Sequence, residues 1–139
     1  MSTPDSSRDD STEPRVAVVV LNYNGRDLLE TYLPSILDLD YENYRVLVVD
    51  NASTDDSVAV LRSEFPSVDV IENERNLGFS AGNNVGAAQA PEADYLWFLN
   101  TDVEVQPDAL TTLVEYVDGE PETGIVVPRI HYVDRPAVI

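Results

Sequence analysis

Six consecutive apolar residues, VAVVVL at 16–21, run between Arg15 and the polar quartet Asn22-Tyr23-Asn24-Gly25. A strand without a polar position has no face to give to water, so it must be covered on both sides. Four more short β-rich runs follow: YRVLVV (44–49), VDVI (68–71), YLWFL (95–99) and IVV (125–127). VAVVVL, YLWFL and IVV are continuously apolar, as strands buried on both faces are. Helical patterns separate the runs, giving strand-helix four times and then a fifth strand. Right-handed crossovers turn that order into an α/β fold, a doubly wound, mostly parallel sheet with helices on both faces.

The helical stretches have distinct signatures. Leu28, Leu29, Tyr32, Leu33, Ile36 and Leu37 make one apolar face, and Pro34 is expected to kink or split that helix. Ser53 is placed to cap a second helix, with Asp55 and Asp56 in its first turn and Val58, Leu61 and Phe65 inward. FSAGNNVGAAQA (79–90) is a helix of small residues, whose Gly82 and Gly86 point to a close approach. Pro107 opens a fourth, carrying Leu110, Leu113, Val114 and Val117.

The chain has 139 residues, one domain by length, and 43% of them are apolar, enough for a core. Residues 1–14 are rich in Ser, Thr, Asp and Pro and read as a disordered acidic tail before a single domain at 15–139. No apolar run approaches a membrane span, no basic-then-apolar signal opens the chain, and cysteine is absent. These features favour the cytoplasm. Eight basic residues, all Arg, stand against 26 acidic ones, a formal charge of −18. Such a surface repels nucleic acid and anionic lipid heads. Acidic excess without lysine reads as adaptation to a salt-rich cytoplasm, where screening removes self-repulsion; the alternative is an ordinary acidic protein.

In open parallel sheets ligands bind outside the carboxyl ends of the strands, where strand order reverses. Here those ends are polar: Asn22-Tyr23-Asn24-Gly25, Asp50-Asn51-Ala52-Ser53, Glu74-Arg75-Asn76-Leu77-Gly78 and Asn100-Thr101-Asp102. An order 3-2-1-4 would set Asn22, Asp50 and Asp102 along one rim. Neither GxGxxG after the first strand nor GxxxxGK[ST] is present, so no glycine cradle holds phosphate. A divalent ion, Mg²⁺ or Mn²⁺, bridging Asp102 to phosphate oxygens is the natural substitute.

NYNGRDLL (22–29), VVDNASTDDS (48–57), NERNLGFSAGNNVGA (73–87) and FLNTDVEV (98–105), in this order and spacing, resemble the inverting family 2 glycosyltransferases, most closely the rhamnosyltransferase-like branch. The resemblance spans roughly residues 15 to 130 and implies a Rossmann-like nucleotide-diphosphosugar-binding fold of the GT-A type. It places Asn22, Tyr23 and Asn24 beside the base and ribose, and Asp50, with Asn51 and Ser53, against base or ribose. It brings Arg75, Asn76, Gly78, Asn83 and Asn84 to the diphosphate and sugar. Asn100-Thr101-Asp102 matches the Asp-x-Asp motif with Asp102 on the metal; Asn at the first position leaves one carboxylate fewer and weak affinity for free metal.

The implied function is metal-assisted, inverting hexosyl transfer from a UDP-, GDP- or dTDP-sugar to a glycan or lipid-linked acceptor. The setting would be cytoplasmic, at the inner face of a membrane, in polysaccharide or glycoprotein synthesis. Family members carry the acceptor-binding half and its general base beyond the Asp-x-Asp half, so the chain reads as an N-terminal donor half, a fragment or truncated form, that would self-associate through an uncovered apolar patch. The alternative is a non-catalytic nucleotide-sugar-binding or assembly module. A receiver-type regulator fits less well, since it wants an acidic cluster after the first strand and a late lysine. Single residues have plainer alternatives: Asp50 a turn former, Ser53 a helix cap, Asn100 and Asp102 an Asx-turn, Arg75 a surface ion pair, Tyr23 and Trp97 packing.

Overall fold

The computed structural model describes residues 13–135. The elements run β1 (Val16–Asn22), α1 (Arg26–Leu37), β2 (Tyr44–Asp50), α2 (Ser57–Glu64), β3 (Asp69–Glu72), α3 (Phe79–Ala88), β4 (Tyr95–Asn100) and α4 (Ala109–Gly119). All three strand pairings are parallel, and the order is β3-β2-β1-β4, the order that sets Asn22, Asp50 and Asp102 along one rim. Alternation along β1 divides the core. Val16, Val18 and Val20 meet α1 (Leu29, Leu33, Ile36), α2 (Leu61) and α4 (Leu110, Val114) on one face.

The other face is covered by α3, and this is where the glycines matter. A Cβ on Gly86 would sit 2.4 Å from Val19 Cγ1, and one on Gly82 would sit 2.5 Å from Leu21 Cδ1. The helix therefore lies closer to the sheet than any side chain allows, as the small-residue pattern indicated. Residues 1–12 of the expected tail lie outside the described residues. Glu13 and Pro14 are anchored: the buried Tyr41 hydroxyl donates to the Pro14 carbonyl at 2.6 Å, and Asn43 Nδ2 to that of Glu13 at 2.6 Å.

Burial, then the charges of Glu13, Asp118 and Asp94, push the Tyr41 hydroxyl up to about 12. The fold favours the neutral phenol. Its stabilisation is therefore complete below the unfolded value of 10.0 and is lost as pH rises towards about 12. Tyr41→Phe should flatten the fall in melting temperature across that window relative to wild type, and an unchanged alkaline limb would refute the assignment.

Several expectations need correction. Pro34 does not split α1, which runs through it on the solvent-facing side, where water can serve the carbonyl left without a donor. Ser53 does not cap α2: the helix starts at Ser57, with Asp56 at its N-cap position. Pro107 precedes α4 by two residues instead of opening it, and its carbonyl accepts from Asp40 N at 2.8 Å. YLWFL is not buried on both faces. Tyr95, Trp97 and Leu99 pack on the core, but Leu96 and Phe98 stand 41% and 45% exposed because α3 covers β1 and β2 and stops short of β4. The run at 125–127 forms no strand: Ile125 and Val127 are exposed, the outer edge of β4 is unpaired among the described residues, and Pro128 removes a ladder donor.

Candidate functional site

The parallel register sets Asn22 level with Asp50, and Leu21 level with Asn100, so β1, β2 and β4 end together. Four loops leave this edge side by side. Both non-glycine residues with positive φ among the described ones lie here, Asn24 (φ 50) and Ala52 (φ 60). Strained backbone of this kind persists where the surroundings over-determine it, as at binding sites.

Buried hydrogen bonds supply that constraint. The Asp50 carboxylate, in a residue 2% exposed, accepts from Asn22 Nδ2 (2.8 Å) and Ser53 Oγ (2.6 Å) through Oδ1, and from Ser53 N (2.9 Å) through Oδ2. Ser53 Oγ in turn accepts from Asn24 N at 2.8 Å and Asn22 Nδ2 at 3.2 Å. Asn24 Oδ1 accepts from Thr54 N at 2.7 Å and Asp55 N at 3.3 Å, tying the β1–α1 loop to the β2–α2 loop. Asn51 reaches the other way: Nδ2 donates to the Gly78 carbonyl at 3.1 Å, and Oδ1 accepts from Asn73 Nδ2 at 2.9 Å. Gly78, at φ 81, opens α3 and receives Asn76 Oδ1 on its N–H at 2.9 Å. Three of the four loops are thereby sewn together.

The residues singled out by sequence fall into two groups. Asn22, Asp50 and Ser53 bond to one another, and Asn24 and Asn51 tie this centre to the neighbouring loops; together they build the rim. Tyr23 (54% exposed), Arg75, Asn76, Asn84, Asn100 and Asp102 face solvent along it. Asn83 is buried in α3, its Nδ2 bonded to the Phe79 carbonyl at 3.1 Å and its Oδ1 without a partner. Arg15, Arg26, Arg45 and Arg62 each pair with a carboxylate, whereas Arg75 pairs with none among the described residues, so its charge is available at the rim. Trp97 packs partly buried against the core, as expected, and His131 is exposed.

Asp55 was read only as a first-turn acid, yet it joins two helix starts. Its Oδ2 accepts from Arg26 N at 3.1 Å, and its Oδ1 from Ser57 N at 3.0 Å and from Ser57 Oγ. Burial raises its pKa, but the bonds from Ser57 and Arg26 outweigh that and leave it below the ordinary 3.8. The Ser-Thr-Asp-Asp run carried this signal, since Asp two residues before a helix can cap it; that it caps α1 as well was invisible in sequence. Asn73, the partner of Asn51, was missed for the same reason.

No group of three or more His, Cys, Asp or Glu side chains converges among the described residues. The Asn100–Asp102 turn offers one exposed carboxylate, that of Asp102, and the exposed amide of Asn100. Such hard oxygen donors suit Mg²⁺ or Mn²⁺, which takes most of its ligands from phosphate and water and one or two from protein. Asp102 fits the protein's share of such a shell.

Fold and rim together define a parallel α/β domain with a candidate ligand edge at the ends of β1, β2 and β4. Residues 17–138 match glycosyl transferase family 2, and the chain belongs to that family. It is 30% identical over 106 residues to the GalNAc(5)-diNAcBac-PP-undecaprenol beta-1,3-glucosyltransferase of Campylobacter jejuni, covering 73% of this chain and 34% of that protein. The mannosyltransferase PcManGT of Pyrobaculum calidifontis, solved with GDP-Man and Mn²⁺, superposes with a TM-score of 0.71 at 26% identity over 81% of this chain and 35% of that one. TarS of Staphylococcus aureus, residues 1–349 with UDP-GlcNAc, shares the fold at a TM-score of 0.70 and 23% identity, covering 83% and 37%. The chain thus spans under two fifths of the length of each of these three proteins.

Proposed function

We propose that this chain is the N-terminal, donor-binding half of an inverting family 2 glycosyltransferase of the rhamnosyltransferase-like branch. It takes a nucleotide-diphosphosugar, UDP-, GDP- or dTDP-linked, and its hexosyl group passes to a hydroxyl of a glycan or lipid-linked acceptor. The carrying observation is the level ending of β1, β2 and β4, which gathers four motif loops on one edge around a free arginine and a free carboxylate. Donor complexes of PcManGT and TarS support the ligand class, and the undecaprenol-linked name of the Campylobacter relative supports a lipid-linked acceptor met at the inner face of a membrane.

In this reading Tyr23 lies beside the base, the Asn22–Asp50–Ser53 network fixes its loop, and Arg75 offers charge to the diphosphate. A Mg²⁺ or Mn²⁺ at Asp102 would stabilise charge on the leaving diphosphate. Calorimetry with UDP, GDP and dTDP, with and without Mn²⁺, should show at least one nucleotide that binds only with metal. Asp102→Asn should abolish that difference. Equal affinity of the wild type in EDTA would remove the metal role.

We further propose a salt-rich cytoplasm as the working medium. Residues 15–139 carry seven Arg and 22 acids, a charge of −15. Screening relieves that repulsion, so thermal midpoints should rise steeply from low to molar KCl. A flat profile would leave an ordinary acidic protein. The exposed Leu96 and Phe98 support self-association under the same conditions.

A further inference from the structure

Asn22 is fully buried, and the orientation of its amide is forced. A carboxylate at Asp50 can only accept, so Nδ2 must face it, which turns Oδ1 towards Gly25. There Oδ1 has no donor. An unsatisfied buried acceptor is costly, and native structures rarely leave one without a reason. Gly25 makes its position possible: a Cβ there would meet Asn22 Oδ1 at 2.6 Å and Thr101 Oγ1 at 3.6 Å. The bare Cα of Gly25 thus separates a buried acceptor lacking a donor from a hydroxyl that makes no hydrogen bond among the described residues. Thr101 is half-buried and sits in the turn that carries Asp102, whereas Asn22 belongs to the network behind Tyr23. The Asn51 and Asn24 ties bind the other three loops to one another. Nothing among the described side-chain bonds ties the β4 turn to them.

We infer that Thr101 is a positioning residue whose hydroxyl swings to donate to Asn22 Oδ1 across Gly25, locking the turn that bears Asp102 to the loop that bears Tyr23. The inference deepens the donor-site reading and rests on it for its effect on ligand, though the bond itself does not need ligand. Binding that engages both Tyr23 and Asp102 requires the two loops at a fixed separation. The bond matters for the metal-dependent part of binding, because only that part uses the β4 turn.

Two measurements test it, both in high salt. In calorimetry with a nucleoside diphosphate, Thr101→Val should weaken binding in Mn²⁺ roughly five- to tenfold, the scale of one net hydrogen bond, and, for any nucleotide that also binds without metal, leave that metal-free binding within about twofold. Thr101→Ser, which keeps the hydroxyl, should match wild type. Wild-type affinity for Thr101→Val in Mn²⁺, or equal weakening by Ser and Val, overturns the inference. In thermal melts without ligand, Thr101→Val, Gly25→Ala and the double variant should be non-additive, the double melting no lower than the worse single. Additive losses overturn the inference even if wild type binds no nucleotide, a result that would instead remove the donor-site reading. If Gly25→Ala does not fold, the melts of the Thr101 variants decide alone: Ser must melt with wild type and Val below it.

Discussion

Asp50→Asn should lower the unfolding free energy by about 2–3 kcal/mol, the scale of a buried donor left without an acceptor. The cause is geometric. Each carboxylate oxygen faces a donor, Oδ1 towards Asn22 Nδ2 and Ser53 Oγ, Oδ2 towards Ser53 N. An amide has one acceptor oxygen and one NH₂, so either orientation sets NH₂ against N–H unless the Asn22 amide turns as well, which leaves the buried Asn22 NH₂ facing Gly25 without an acceptor. Turning it one way confronts the Asn22 amide, and turning it the other confronts the Ser53 backbone. The loop behind Tyr23 then loosens, and nucleotide should bind more weakly with or without metal, unlike Asp102→Asn, which should lose only the metal-dependent part. Urea unfolding at fixed high KCl separates the stability effect from screening. A variant as stable as wild type would mean that the network does not hold the loop.

Gly86→Ala should cost about 2 kcal/mol, within the range for overpacking a filled core. Two effects oppose each other. Alanine in a helix interior is about 1 kcal/mol better than glycine. Against this, the new Cβ lies 2.4 Å from Val19 Cγ1 and 3.0 Å from Val49 Cγ2. Both valines are fully buried in neighbouring strands and stiff at χ1, so they cannot turn aside. The clash wins. At Gly82 the nearest atom is the end of Leu21, which is only partly buried and can rotate, but Asn51 Nδ2 also stands at 3.0 Å and is held by the Gly78 carbonyl, so Gly82→Ala should cost less than Gly86→Ala without being free. Val19→Ala should restore part of the loss from Gly86→Ala. If the two glycine variants melt alike, helix approach is not what these positions encode.

Much of this architecture could be read from residue order. The parallel sheet with helices on both faces follows from right-handed crossovers between short apolar runs, whereas its order β3-β2-β1-β4 was one arrangement among those the rule allows; Gly82 and Gly86 marked the tight helix because nothing else in α3 explains them. The half-exposed β4 could not be read. YLWFL is as apolar as VAVVVL, and only the reach of α3 decides which has a covered second face. The run at 125–127 has strand composition, but a strand exists by pairing, and composition does not say whether a partner edge is in reach. At the site, position was legible and division of labour was not. Asn, Asp and Ser at strand ends suit ligand contact and loop bracing equally, since both use the same donors and acceptors. The hydrogen bonds show that Asn22, Asn24, Asp50, Asn51 and Ser53 brace the loops, while Tyr23, Arg75 and Asp102 remain outward.

The edge of β4, unpaired among the described residues, has a practical consequence for anyone handling the protein. A row of unpaired backbone groups beside exposed Leu96 and Phe98 is a template on which another chain can add. The same −18 charge keeps such templates apart. If thermal midpoints rise with KCl as proposed above, added salt acts in two directions, tightening each molecule while removing the repulsion between molecules. The useful concentration is a window, bounded below by unfolding and above by edge-to-edge growth, and a charged residue placed at Phe98 should widen it from the upper side.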